Sequence, residues 1–69
     1  MTHADVLTRL ARIRQVAVLE RDPEAAHSLE KGLMTDVLKA IAAGEGDPPS
    51  VLATAALQAE GLDFPRWFA

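Results

Sequence analysis

Apolar residues recur along this chain at steps of three and four, and nowhere do they alternate with the period of two that a half-buried strand needs. The pattern predicts three helices, over residues 3–20, 23–43 and 49–60, with a further helical turn in a tail over residues 62–69. In the first helix Val6, Leu10, Ile13 and Ala17 fall within about 60° of arc. Thr2 stands where its hydroxyl can accept the amide of Asp5 and so start that helix. In the second, the stripe is Ala26, Leu29, Leu33, Val37, Ala40 and Ile41, with Met34 and Leu38 widening one side.

The punctuation has physical causes. Asp22-Pro23-Glu24 places a carboxylate at an N-cap, then a proline where no amide donor is needed, then an acid favoured by the helix dipole. Gly44 offers the left-handed conformation that ends the second helix. Gly32 interrupts that helix, either for a close contact or as a tolerated weakness costing about 1 kcal/mol relative to alanine. The loop through Gly46, Asp47, Pro48 and Pro49 lets the third helix start at Asp47, Pro48 or Ser50, and its stripe is Val51, Leu52, Ala55, Ala56 and Ala59. Gly61 closes it, and Leu57 points away from the stripe. The expected fold is all-α: a small three-helix bundle with a short helical C-terminal tail, forming one domain over residues 1–69.

Composition changes this picture in one respect. Of 69 residues 49% are hydrophobic, but 13 of those are alanine, so the core is thin. Chains this short commonly gain stability from disulfides, a metal or a partner subunit. With no cysteine, disulfides, thiolate zinc sites and thiol redox chemistry are excluded. Self-association is the remaining common device. No apolar run suits a signal peptide or a membrane span, so the expected location is the cytoplasm. The net charge of −3 is unevenly shared: residues 1–21 carry +2 and residues 22–69 carry −5. The two parts can attract each other, or a second copy.

The run from Asp22 to Glu30 (DPEAAHSLE), the run from Asp36 to Ala42 (DVLKAIA) and the ending from Leu62 to Ala69 (LDFPRWFA) resemble small helical proteins of actinobacterial phages and their hosts. The resemblance spans roughly residues 20–69. It implies a phage-encoded chain acting on a host protein, and it lends no activity and no functional residue.

Three constellations invite chemistry. Arg9, Arg12 and Arg14 on the first helix are candidates for phosphate contact, while the third helix has no basic residue and makes a poor recognition helix. Glu24, His27 and Glu30 share one helix side at a spacing that suits part of a metal site, with His3 a further ligand; one such element supplies too few ligands unless a symmetric dimer completes it, and a surface histidine flanked by acids explains it better. Glu30 falls inside the apolar stripe between Val37 and Ile41, where a carboxylate needs a partner. That partner is expected to be Arg14, or else solvent at the open end of the bundle. A lone carboxylate without a nucleophile or second acid does not make a catalytic set.

Two apolar features point to partners. Val6, Leu10, Ile13, Ala17 and Glu20 advance by 4, 3, 4 and 3, a short coiled-coil seam, and Leu7, Val16, Val18 and Leu19 carry apolar character beyond it. Phe64, Trp67 and Phe68 have the spacing of a helical peptide anchored in a groove, although the same spacing docks a tail on its own core. The expectation is a non-enzymatic protein–protein interaction module that acts as a homodimer, with a host protein the other candidate partner. The expected interface residues are Leu7, Arg14, Val18, Leu57, Trp67 and Phe68. No cofactor, metal or membrane is expected, and the alternative is a nucleic-acid accessory protein using the arginines of the first helix.

Overall fold

The structure, a computed structural model, describes residues 1–66. Three α-helices, α1 (His3–Arg14), α2 (Pro23–Ala43) and α3 (Pro49–Leu57), pack pairwise against one another, and the described residues include no strand. The chain is therefore a small all-α three-helix bundle. Among the described residues no helix is long and apolar enough to cross a membrane.

The N-terminus of α1 is a reciprocal capping box. The Thr2 hydroxyl accepts the Asp5 amide at 3.1 Å, and the Thr2 amide donates to Asp5 Oδ2 at 2.8 Å. That amide, and then the hydroxyl, holds the Asp5 carboxyl below its usual range. The cap's contribution is thus present above the ordinary aspartate value and is lost as pH falls through the lowered one.

α1 ends earlier than the apolar repeat predicts. From Gln15 to Leu19 the backbone widens into a π turn, closed by the Glu20 amide on the Gln15 carbonyl at 3.0 Å. Arg21 then adopts a left-handed φ of 51° and the Asp22 amide donates to the Val16 carbonyl at 3.0 Å. This corner folds the start of α2 back over the end of α1. Val16 is consequently buried in the core, where the sequence pattern had it as surplus surface, and Ala17 is only half-buried. Past Ile13 the most buried position shifts from Ala17 to Val16, and Ala17 packs against the core from its edge.

α2 has the ends its punctuation implies: Asp22 accepts the Ala25 amide at 3.1 Å, Pro23 occupies the first turn, and Gly44 is left-handed at φ 66°. Gly32 is not a close helix contact. A Cβ there would meet only the Arg9 guanidinium at 3.5 Å, an ordinary van der Waals distance. Gly32→Ala is therefore expected to raise the unfolding free energy by about 1 kcal/mol, read as a higher urea midpoint at unchanged slope.

The loop after α2 carries the N-terminus of the chain. Asp47 accepts the His3 amide at 2.7 Å and donates its own amide to the Met1 carbonyl at 3.1 Å. Gly46, at φ 87°, lies so close to the Met1 backbone that any Cβ would collide with it. With Asp47 so occupied, Pro48 takes the N-cap position without a side-chain hydrogen bond and α3 starts at Pro49.

α3 tightens into a 3₁₀ turn over Gln58–Gly61, and Leu62 is extended. The described part of the tail, residues 62–66, forms no helical turn, and the rest of the turn expected over residues 62–69 lies outside the described residues. Pro65 disfavours helical geometry at Phe64, and the described part of the tail folds over the bundle end instead. Phe64, 7% exposed, joins Val6, Ile13, Leu33 and Leu52 in the core.

Candidate functional site

Seven large aliphatic side chains lie outside this core: Leu7, Val18, Leu19, Leu29, Leu38, Val51 and Leu57. Of the expected interface residues, Leu7 (41% exposed) and Arg14 come together in a shallow groove between α1 and the 3₁₀ turn, whose other walls are Leu10, Ala11, Gln58 and Leu62. Val18 (47% exposed) stands on the π turn. Leu57 belongs to a different surface. Trp67 and Phe68 lie outside the described residues.

The surface around Leu57 is a groove of about 200 Å³ between α2 and α3, lined only by Met34, Val37, Leu38, Ile41, Ala53, Ala56 and Leu57. Leu38 is 66% exposed and Leu57 56%. Leu38 was expected merely to widen the core stripe of α2. It stays outside because α3 is short and sends one large side chain, Leu52, into the core, while the positions nearer its C-terminus, Ala55 and Ala56, and Ala59 of the 3₁₀ turn are alanines whose methyl groups close the contact without reaching across to Leu38. The clue available in the sequence was this alanine content of the facing helix.

One end of that groove is fixed by an ion pair the sequence did not disclose. Glu30 is partnered by Arg66, not by Arg14: the guanidinium grips both carboxylate oxygens, with Nη2 to Oε2 at 2.8 Å and Nε to Oε1 at 2.9 Å. Nη2 also donates to the carbonyls of Ala59 (3.0 Å) and Leu62 (3.1 Å), and Nη1 to that of Phe64 (3.2 Å). The same guanidinium stacks 3.8 Å from the Phe64 ring centroid. Hydrogen bonding by the Glu30 carboxylate pushes the Arg66 pKa above its ordinary value, against the opposing effect of burial. Arg66 thus caps the end of the 3₁₀ turn and straps the tail to α2. This is a structural clamp.

The other chemical candidates fare differently. Arg9 holds Asp36 at 2.6 Å and Arg12 holds Glu20 at 3.0 Å, so both are engaged by carboxylates of their own chain. Arg14 forms no salt bridge among the described residues. Glu24, His27 and Glu30 share α2, but both oxygens of Glu30 are taken by Arg66, and the described residues include no group of three acidic, histidine or cysteine side chains placed to hold a metal ion.

No family model, curated protein or solved structure matches the chain.

Proposed function

We propose that this chain is a small, non-enzymatic helical interaction module of the cytoplasm that works by self-association, as a dimer. One observation carries the reading: among the described residues a core of twelve buried side chains closes while seven large aliphatic side chains stay exposed, two of them facing one wholly apolar groove. Covering such side chains returns roughly 25 cal/mol per Å² of apolar surface removed from water. A bundle this small has little stability of its own to forgo that gain. The nucleic-acid reading is weaker, because Arg9 and Arg12 would first have to give up Asp36 and Glu20.

Thermal unfolding followed by circular dichroism tests this at several protein concentrations. For a chain whose folded form associates, the midpoint climbs as concentration rises over about three decades. A midpoint that does not move with concentration contradicts it.

A further inference from the structure

We infer that the α2–α3 groove is the surface by which two copies join, about a two-fold axis running along the groove, with Lys31 of each copy against Glu60 of the other. The inference rests on the self-association proposed above and adds its location and register. Lys31 lies seven residues before Leu38 and so continues its stripe along α2. Glu60 lies three residues after Leu57 inside the 3₁₀ turn, where side chains three apart eclipse, and so continues the line of Leu57. Both are exposed, and neither forms a salt bridge among the described residues.

Lys31 and Glu60 flank the same end of the groove. The Arg66 clamp ties Glu30, next to Lys31, to the carbonyl of Ala59, next to Glu60. The face therefore reads, across its width, as a cation on the α2 side and an anion on the α3 side, with Leu38 and Leu57 beyond them. A two-fold along the groove lays α2 of one copy over α3 of the other. Leu38 then meets Leu57 twice, and each lysine meets a glutamate. The α1 groove offers no such match: its one charged group is Arg14, which a second copy of the same surface would not neutralise.

Charge reversal tests the register. Lys31→Glu and Glu60→Lys alter exposed side chains, and circular dichroism checks that each variant stays helical. Alone, each places like charges together at two symmetric points, so its dimer dissociation constant is expected to rise about tenfold by sedimentation velocity. Mixed, K31E and E60K oppose unlike charges at both points, and they are expected to form a heterodimer tighter than either homodimer. Leu38→Glu is expected to weaken association by about a hundredfold. A native chain that dimerises while L38E dimerises equally well, or a K31E and E60K mixture no tighter than its parts, overturns this interface and leaves self-association standing. A native chain that stays monomeric at every concentration overturns both, and leaves the groove to a different protein.

Discussion

Phe64→Ala is expected to lower the unfolding free energy by about 3 kcal/mol, the low end of the cost of truncating a buried phenylalanine. The ring is 7% exposed and is the one aromatic side chain among the described core residues; the rest of that core is aliphatic, and much of it alanine. Truncation leaves a cavity in that core. It also removes the face on which the Arg66 guanidinium rests. In a bundle of 69 residues, with total stability of only about 3–5 kcal/mol, a loss of that size leaves a large unfolded fraction at room temperature. Helicity at 222 nm and the urea midpoint, compared at one protein concentration, are the measurements. An unchanged midpoint would mean that the tail is not part of the core.

Arg66→Met is expected to cost about 2 kcal/mol, between the values for exposed and fully buried ion pairs, since the side chains of Arg66 and Glu30 keep 30% and 14% of their exposure. Methionine retains the stem but leaves the half-buried Glu30 carboxylate and the carbonyls of Ala59 and Leu62 without their shared donor. Lysine does not rescue the loss, because one ammonium cannot grip both oxygens of Glu30 while reaching the two carbonyls. A double-mutant cycle with Glu30→Gln, read by urea unfolding, is expected to show strong coupling; additive single losses would separate the two residues.

The helix ends were legible in the sequence wherever a single residue type determines them. Thr2 with Asp5, Asp22 with Pro23, and Gly44 each act on backbone groups within a few positions. The π turn was not legible, because the widening at Gln15–Leu19 belongs to a corner closed by a left-handed Arg21, a conformation for which the sequence offers no glycine or asparagine. Helical angle placed Glu30 in the stripe and so foretold a partner, but the choice of Arg66 over Arg14 depends on how the 3₁₀ turn and Pro65 direct the tail. Leu57 was read as pointing away from its own helix stripe; its neighbour Leu38 was not, because periodicity ranks positions on one helix and says nothing of how far the opposite helix reaches. The groove between them is a property of the pair.

Sedimentation equilibrium of the full chain bears most directly on the claim that its exposed aliphatic surface is covered by a second copy. The weight-average mass is predicted to approach 7.4 kDa at high dilution and to rise with concentration to a plateau at twice that value. A mass that stays at one chain throughout the range would contradict it.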